Sequence, residues 1–552
     1  MQDADSQGLF LLDYGAGNVR SVYNAIELLG YSVKIISSPE DFHVAKKIIF
    51  PGVGSFSYAV DQLSKKNLIK PLLEYIASGK PLMGICVGMQ VLFESSEESD
   101  KPGLGIFKGI VRKFSNITKS VPLIGWNSCT RVVENELASN NNIIPISQDG
   151  RFYFVHSYAT LYDPSTAPLD AAYTTTRYGD QTFLSSIYAN NIFATQFHPE
   201  KSGKDGLNLI KSFITSFSPR TLTPNPIFIN PKDVSSSYSL RIIACMDIRN
   251  NDENELVVTK GDQYDVRDTS DSNKVRNMGN PVQLAKRYFT EGADEITFLN
   301  ITSFRDIPLQ DLPMLDILRE ASKHVFVPMT IGGGIRSITS ETTGETWSAV
   351  EVANAYFMSG ADKISIGSDS VYAVEEYLKN SKCKSGLSSI EQISEIYGSQ
   401  AVVVSVDPKR AYVSSPSESK HNVIKTNKKG PNGEEYCWFQ CTVKGGREAR
   451  DIDVVELCTA VEDLGAGEIL LNSIDNDGCN SGYDIELLKL VKSSVTIPVI
   501  ASSGAGNPSH FLEASKDAGV DAVLAAGIFH RHEVEIKDAK SFLNENGISV
   551  RI

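Results

Sequence analysis

Short runs of consecutive apolar residues alternate along the chain with segments whose apolar residues recur at helical spacing. In the first 200 residues, the runs at 9–13, 32–36, 47–50, 81–85 and 191–196 predict buried strands, each followed by a helical pattern or a turn. This alternation predicts an open α/β sheet flanked by helices. Ligands bind such sheets at the carboxyl ends of the strands, so we expect the chemistry of this half there.

From Arg241 onward the strand-then-helix pattern repeats eight times, which predicts a (β/α)8 barrel with its active site at the carboxyl ends of the strands. Segment 218–239 is rich in Pro, Ser and Asn without a sustained period and predicts a surface linker. We therefore expect domains at 1–217 and 240–552. The predicted barrel strands lie at 241–247, 294–300, 325–331, 362–367, 401–407, 467–473, 497–502 and 521–525, and predicted helices at 281–291, 311–322, 346–359, 451–464, 484–493 and 508–518.

The two halves of the predicted barrel resemble each other. GADEITFLNIT from Gly292 parallels GAGEILLNSID from Gly465, VPMTIGGGIR parallels IPVIASSGAG, and SGADKISIGS parallels AGVDAVLAAG. General likeness among barrel strands is the alternative, although three segments in matching order weaken it. A two-fold repeat would place equivalent residues on opposite sides of the barrel mouth.

Glycine-rich turns follow the third and fourth strands of each half. Free N–H groups at such turns bind phosphate, so two sites across the mouth predict a long substrate with a phosphate at each end. The residues concerned are Gly333, Gly334, Gly367, Ser368, Ser503, Gly504, Gly506, Ala526 and Gly527, together with Asp475 and Gly478 after the sixth strand.

Two carboxylates, Asp247 and Asp407, end the first and fifth predicted strands, which lie opposite each other in an eight-stranded barrel. A facing pair can supply a base and an acid if the environments separate their pKa values. Each could instead cap a neighbouring loop, but their place at the catalytic end of a barrel favours catalysis.

Charged residues also begin four of the barrel strands. Arg241 shares parity with Asp247, so both should point inward. A ring of two cations and two anions would then close the barrel bottom, either as a salt-bridge plug or as a gate. Its members are Arg241, Glu295, Lys363 and Glu468.

The strand at 81–85 runs into Gly84-Ile85-Cys86-Val87-Gly88, which has the layout of a nucleophile elbow. The start of the following helix favours thiolate, while a buried structural cysteine is the ordinary alternative. Gly52 and Gly54 follow another strand and either present N–H groups to an oxyanion or form an ordinary turn.

A thiolate needs a base, and the base needs an orienting partner. Pro199 should hold His198 and Glu200 in an extended segment, in which residues two apart point the same way. His156 has no carboxylate at that spacing, so we expect it in the core or beside the substrate.

Composition narrows the class of protein. The chain is 41% apolar and 22% charged with a net charge of −14, which is typical of globular proteins and argues against a nucleic-acid or anionic membrane partner. It shows no targeting character at its start, and its eight scattered cysteines do not form a disulfide framework. We expect a cytoplasmic protein that needs neither a metal ion nor a cofactor.

The GICVG and HPE motifs together resemble the class I glutamine amidotransferases over residues 8–215. The resemblance implies that Cys86 attacks the side-chain amide of glutamine, His198 transfers the proton and Glu200 orients the imidazole, so that ammonia is released. It further implies oxyanion or glutamine contacts from Gly52, Gly54, Val87, Gln90, Ser157 and Tyr158.

RIIACMDIR, VVTKGDQYDVR, FLNITSF, IGGGIR, SVDPKR and SSGAG resemble the cyclase barrel of the imidazole glycerol phosphate synthase family, and both parts on one chain resemble its eukaryotic bifunctional form. The resemblance implies histidine biosynthesis from glutamine and a phosphoribulosyl-formimino nucleotide with two phosphates. Ammonia would add to that nucleotide, giving imidazole glycerol phosphate and an aminoimidazole carboxamide ribotide.

The same resemblance implies roles for single residues of the barrel. Asp247 and Asp407 match the acid–base pair, with Asp247 favoured as the base, and Lys260 matches a substrate-binding lysine after the first strand. The four ring residues match an ammonia gate. We expect a monomer in which the two domains are docked.

Two other functions compete with this interpretation. One is a two-phosphate sugar isomerase on a related two-fold barrel, but such an enzyme has no use for nitrogen. The other is a non-catalytic regulatory protein with an inactive glutaminase. The intact set of Cys86, His198 and Glu200 argues against that.

Overall fold

The computed structural model describes residues 8–15, 18–132, 146–147, 149–165, 171–219, 230–234, 236–251, 255–259, 277–301, 313–339 and 344–552. In these ranges the chain forms a mixed sheet in its amino-terminal half and a barrel in the remainder. None of the helices found there is long and apolar enough to cross a membrane.

The amino-terminal half is built on an eight-stranded sheet with the order β2-β1-β3-β4-β14-β13-β12-β9. Pairing is parallel from β2 to β14, which confirms the predicted α/β sheet, and antiparallel beyond it. The strands of this half are β1 (Leu9–Leu12), β2 (Lys34–Ile36), β3 (Lys47–Phe50), β4 (Leu82–Ile85), β5 (Phe93–Ser96), β6 (Ser99–Pro102), β7 (Phe107–Lys113), β8 (Leu123–Asn127), β9 (Thr130–Arg131), β10 (Phe152–His156), β11 (Tyr158–Thr160), β12 (Ala172–Tyr178), β13 (Gln181–Ala189) and β14 (Ile192–Thr195).

Helices pack on this sheet through apolar faces. The first of them buries Val19, Val22, Ala25 and Ile26, spaced three and four apart as a helix with one apolar face requires. The helices are α1 (Val19–Leu28), α2 (Asp41–Val44), α3 (Phe56–Lys65), α4 (Ile69–Ala77), α5 (Val87–Gln90) and α6 (Gly203–Thr215).

Parallel strands close into a barrel in the order β15-β17-β18-β21-β22-β27-β28-β29, and β29 pairs with β15 to complete the circle. The predicted (β/α)8 architecture is therefore confirmed. The strands from Arg241 onward are β15 (Arg241–Asn250), β16 (Leu256–Thr259), β17 (Glu295–Asn300), β18 (Met329–Gly332), β19 (Ile338–Thr339), β20 (Thr346–Trp347), β21 (Lys363–Ile366), β22 (Val402–Val406), β23 (Pro408–Val413), β24 (Ile424–Lys425), β25 (Tyr436–Val443), β26 (Glu448–Asp453), β27 (Glu468–Leu471), β28 (Val499–Ala501) and β29 (Ala522–Ala525).

Helices surround the barrel on its outside. They include pieces that the sequence pattern does not predict, among them two successive helices between the fourth and fifth barrel strands. The helices are α7 (Pro281–Thr290), α8 (Pro313–Ala321), α9 (Ala349–Met358), α10 (Ser368–Lys379), α11 (Ser389–Tyr397), α12 (Val454–Leu464), α13 (Ile485–Lys492), α14 (Pro508–Ala518), α15 (Gly527–His530) and α16 (Ile536–Glu545).

The barrel interior is layered because alternate residues of each strand point inward. Charged residues occupy the bottom, where the strands begin, and Asp247 and Asp407 lie at the top. Between these layers lies an apolar cluster of Ile243, Cys245, Val403, Leu470, Ile500, Ala522 and Leu524. The two charged ends of the barrel are thus separated by apolar side chains.

The amino-terminal half docks against the bottom of the barrel. The Trp126 indole N–H donates to the carbonyl of Asp294 at 3.2 Å, and the Arg551 guanidinium lies 4.1 Å from the centre of the Trp126 ring. The backbone N–H of Val121 donates to the carbonyl of Thr496 at 3.0 Å. The described end of the segment predicted as a linker also packs here, since Ser239 is buried and bridges to Trp126.

Candidate functional site

Cys86 lies at a sharp turn between β4 and the short helix α5. Its backbone has φ 52° and ψ −109°, a strained conformation for a residue with a side chain. The turn also requires glycine at Gly88, because a Cβ there would lie 2.2 Å from the carbonyl oxygen of Phe50. These features give the strand–turn–helix geometry predicted for a nucleophile elbow, and Cys86 is buried with 4% of the residue exposed.

His198 and Glu200 lie beside this thiol. Nδ1 of His198 is 2.7 Å from Oε1 of Glu200, and Cys86 lies close enough to the imidazole to influence its pKa. Burial alone would lower the pKa of His198, but the charges of Glu200 and Cys86 raise it well above its ordinary value. The prediction of an extended segment is wrong: Pro199–Lys201 is a 3-10 turn, and this turn brings the carboxylate back to the ring.

The turn after β3 runs close to the elbow. A Cβ on Gly52 would lie 2.2 Å from the backbone nitrogen of Gly88 and 2.5 Å from that of Val87, so only glycine fits. Gly54 has φ 115°, and the carbonyl of Val53 accepts a hydrogen bond from the Tyr14 hydroxyl at 2.9 Å. The structure thus brings the residues expected at an oxyanion site against the turn that holds Cys86.

The residues expected to bind glutamine do not all face open space. Gln90 donates to the carbonyl of Tyr158 at 2.8 Å and to Oε1 of Gln196 at 3.2 Å, and Gln196 in turn donates to Sγ of Cys86 at 3.5 Å. Gln90 therefore positions the Gln196 amide, which in turn contacts the Cys86 sulfur. Ser157 and Tyr158 line a cleft of about 780 Å³ between the sheet and the barrel.

Glu98 lines the same cleft and was not predicted from the sequence. Burial raises the pKa of its carboxyl, and one oxygen accepts the backbone N–H of Phe56 at 2.8 Å. His156 lies instead among Phe114, Phe154 and Phe183, where burial lowers its pKa to about 3. Of the two positions expected for it, His156 occupies the core.

The four charged residues at the barrel bottom form a closed ring with no exposed surface. Arg241 lies 2.8 Å from Glu295 and also pairs with Glu468. Lys363 lies 2.7 Å from Glu295 and 2.6 Å from Glu468. Burial alone would raise the pKa of Glu295, but Lys363 and Arg241 hold it below its ordinary value. Two cationic and two anionic side chains thus pair with one another in a closed ring of balanced formal charge.

Tyr153 lies between this ring and the thiol site. Its carbonyl accepts the N–H of His198 at 2.9 Å, and burial and Glu295 raise the pKa of its phenol. No described residue lies within hydrogen-bond distance of that hydroxyl. Beside it, Lys201 pairs with Asp362 at 2.7 Å, next to ring residue Lys363. These contacts join segments distant in sequence, so no local motif marks them.

Asp247 and Asp407 point toward the barrel mouth from opposite strands. Strand β15 continues past Asp247 to Asn250 and pairs with β16, so this aspartate lies within the strand and not at its end. Asp407 accepts the Asn472 amide at 2.7 Å. Burial raises the pKa of Asp407 despite that bond. Asp407 therefore stays protonated to higher pH than an ordinary aspartate does.

Two glycine-rich regions face each other across the mouth, since the sheet order places β18 and β21 opposite β28 and β29. Gly333, Gly334, Ser503 and Gly504 all have positive φ. Gly367 precedes α10, which begins at Ser368, and Ala526 precedes α15, which begins at Gly527. Each region thus presents a helix start beside a turn, as a phosphate site requires.

Four further expected ligands have different outcomes. Asp475 accepts the backbone N–H of Arg410 at 2.8 Å and so anchors a neighbouring strand. Gly478 has φ 71° in the same loop, and a Cβ on Gly506 would lie 2.2 Å from the carbonyl of Asn480. Lys260 lies outside the described residues.

Comparison with known proteins finds two families on this chain. The model for glutamine amidotransferase class-I matches residues 10–216, and the model for histidine biosynthesis protein matches residues 241–535. Imidazole glycerol phosphate synthase hisHF of Schizosaccharomyces pombe is 53% identical over 98% of this chain and 99% of its own length. The chloroplastic hisHF of Arabidopsis thaliana is 52% identical over 98% of this chain and 89% of its own. The HisF subunit of Methanosphaera stadtmanae is 39% identical over 57% of this chain.

Proposed function

The chain belongs to the family of bifunctional imidazole glycerol phosphate synthases, and on that premise we propose that ammonia released at Cys86 reaches Asp247 and Asp407 through the interior of the barrel. It is an enzyme of histidine biosynthesis with a glutamine amidotransferase part and a cyclase part. We assign residues 1–217 to the amidotransferase, 218–239 to a linker and 240–552 to the cyclase.

In the amidotransferase, the Cys86 thiolate attacks the side-chain amide carbon of glutamine. His198 passes its proton to the departing ammonia, and water then hydrolyses the thioester to glutamate. The raised pKa of His198 supports this role, because the imidazolium is held between two negative partners. Gly52, Gly54 and Val87 supply N–H groups to the oxyanion.

The amide end of glutamine lies at Cys86, and its amino-acid end extends toward the cleft lined by Ser157 and Tyr158. We assign its α-amino group to Glu98, whose carboxyl otherwise meets one backbone N–H in a buried site. A bound ammonium group would favour the ionised carboxylate by its charge. Lys113 and Lys384 line the same cleft and suit the α-carboxylate.

Ammonia then crosses the ring of Arg241, Glu295, Lys363 and Glu468, which acts as the gate. The apolar layer above the ring supports passage of neutral ammonia over ammonium, since an unpaired ion there would lose its hydration. The ring is closed in this structure, so passage requires one of its ion pairs to separate.

At the mouth, ammonia adds to a phosphoribulosyl-formimino nucleotide whose phosphates lie on the two glycine-rich regions. Asp247 acts as the base and Asp407 as the acid. The raised pKa of Asp407 supports this assignment. Closure of the imidazole ring and cleavage give imidazole glycerol phosphate and the carboxamide ribotide. We propose a monomer, because each chain holds both sites.

The observation that carries the proposal is the ion-pair ring, which lies between a complete amidotransferase triad and a barrel mouth. The two alternative functions do not account for this combination. A sugar isomerase would not use the triad, and a non-catalytic regulatory protein would not use the carboxylates at the barrel mouth. The matched amidotransferase family over residues 10–216 further supports a nitrogen-using reaction.

Two reciprocal variants test the division of labour. Cys86→Ala should abolish synthesis from glutamine and leave synthesis from ammonium salts near the wild-type rate. Asp247→Asn should lower synthesis from either nitrogen source by about 10²–10⁴-fold, the usual value of one acid–base group. Failure of ammonium to rescue Cys86→Ala would contradict the proposal, as would near-normal turnover by Asp247→Asn.

A further inference from the structure

Ser55, the residue directly after Gly54, binds the barrel through both of its donors. Its backbone N–H donates to the carbonyl of Ile396 at 3.1 Å, and its hydroxyl donates to the carbonyl of Glu395 at 3.0 Å. Both carbonyls belong to the last turn of α11, where a helix has no internal partners for them. A residue of the amidotransferase thus completes the end of a barrel helix.

The same hydroxyl also begins a helix in its own domain. Oγ of Ser55 accepts the backbone N–H of Tyr58 at 3.3 Å and so caps α3. The next N–H, that of Phe56, binds Glu98 in the glutamine cleft. Ser55 therefore links the barrel and the glutamine cleft to the turn at residues 52–54, which we call the oxyanion turn. A displacement of α11 would be passed through Ser55 to Gly54.

The opposite end of α11 reaches a phosphate region. The hydroxyl of Ser389, the first residue of α11, donates to Oδ2 of Asp369. Asp369 lies in the first turn of α10, directly after Ser368 and Gly367. A helix of this length spans about 13 Å at 1.5 Å per residue. One short helix thus joins the phosphate region to the oxyanion turn.

The start of α11 is held firmly, so a displacement there is transmitted along the helix. Ser388 and Glu391 form a capping box, and the Glu391 carboxylate also accepts the N–H of Gly386 at 3.0 Å. A phosphate dianion at Gly367 would repel the neighbouring Asp369 carboxylate. A ligand can shift a conformational equilibrium only if it interacts differently with the two conformations. The repulsion meets this requirement, because it would disfavour the position that Asp369 occupies when the phosphate site is empty.

We propose that α11 is a strut that reports occupancy of the barrel's phosphate site to the oxyanion turn, with Ser389 and Ser55 as its positioning residues. The proposal rests on the function assigned above and adds a route for coupling the two sites. The bond between Ser389 and Asp369 joins two residues of the barrel, so it is not needed to hold the two domains together. An effect of its loss on glutamine hydrolysis would therefore indicate transmission along α11 and not a failure of docking.

The test compares glutamine hydrolysis with and without the phosphoribulosyl-formimino nucleotide in full-length Ser389→Ala. Loss of one hydrogen bond weighs about 0.5–1.5 kcal/mol, so we expect the ratio of stimulated to basal hydrolysis to fall by about two- to tenfold. Basal hydrolysis and ammonia-dependent synthesis should stay near wild type. Ser389→Thr, which keeps the hydroxyl, should restore the ratio.

Ser541→Ala is the matched control, because its exposed hydroxyl bonds the Lys537 carbonyl within α16, away from both sites. It should keep the wild-type ratio. An unchanged ratio in Ser389→Ala would overturn the strut, and so would an equal fall in ammonia-dependent synthesis, which would place the effect on phosphate binding. Absence of stimulation in wild type would overturn the strut while leaving the Cys86→Ala rescue as a separate test of the function.

Discussion

The amidotransferase triad and the barrel carboxylates hold their ionisable groups in opposite ways. His198 and Glu200 are two residues apart, buried, and joined at 2.7 Å. Asp247 and Asp407 come from opposite strands, are half-buried at an open mouth, and face each other across the barrel. The groups of the amidotransferase site touch one another in a buried site, whereas the two barrel carboxylates are separated across the barrel mouth.

The difference follows from what each site must do. A thiolate forms by proton transfer to its base, so nucleophile and base must touch before the substrate arrives. A base and an acid that act on separate atoms of a long nucleotide must leave room for it between them. The ion-pair ring lies between these two arrangements and belongs to neither.

The largest expected effect separates the two sites at the triad. Glu200→Gln keeps the shape of the side chain but removes the charge that raises the pKa of His198. Loss of the equivalent carboxylate in a nucleophile–histidine–acid triad costs about 10⁴-fold, so glutamine-dependent turnover should fall to that extent. Ammonia-dependent synthesis should not change.

Glu74→Gln is the control for this variant, because its exposed carboxylate pairs only with Lys70 at 3.8 Å on the surface of α4. It should leave both activities intact. A parallel loss of ammonia-dependent synthesis in Glu200→Gln would show that this carboxylate supports the fold and not the imidazole.

The second effect is on stability and concerns the ring. Lys363→Met would leave Glu295 and Glu468 with one cation between them, and breaking a buried ion pair in this way costs about 3–5 kcal/mol. In wild type, Lys363 and Arg241 hold the pKa of Glu295 low in the folded state. The stability that the ionised Glu295 contributes is therefore lost as pH falls through its folded-state pKa. The free energy of unfolding of Lys363→Met should therefore depend less on acidification than that of wild type.

Lys323→Met gives the matched comparison, since Lys323 pairs with Glu320 on the exposed surface of the barrel. Its loss should change stability by less than about 1 kcal/mol. If urea unfolding places both variants within that range, the ring does not behave as a buried ionised network.

The smallest effect sharpens the asymmetry within the barrel pair. In the proposed role of acid, Asp407 must be protonated, and its raised pKa extends the protonated form to higher pH. At constant free ammonia, turnover should fall about tenfold per pH unit above that pKa. Asp407→Asn should be slow but should lack this limb. A limb that persists in Asp407→Asn would assign the acid to another group.

The local parts of both sites follow from sequence because their geometry is set by neighbouring residues. The elbow at Cys86 needs only a strand, two glycines and a helix start, and the barrel strands are apolar runs of the right length. The contact between His198 and Glu200 was expected correctly but for a wrong reason, since a tight turn and not an extended segment brings them together.

The parts that sequence reasoning missed depend on tertiary pairing. Glu98 reaches the cleft because a second small sheet, β11-β7-β5-β6, folds beside the elbow. Gln196 supports the thiol only because β14 pairs with β4. Tyr153 lies beside the ring because of how the domains dock. The antiparallel insertion β23 to β26 carries no period that distinguishes it from a long loop.

Isotope transfer tests the interior route for ammonia most directly. Wild-type enzyme is supplied with glutamine carrying a heavy nitrogen isotope at the amide, in the presence of a large excess of unlabelled ammonium, and the imidazole product is analysed by mass. If ammonia passes through the ring inside the protein, the product should carry almost only the heavy isotope. Product whose label matches the diluted ammonium in solution would contradict the route and leave two active sites that exchange ammonia through the solvent.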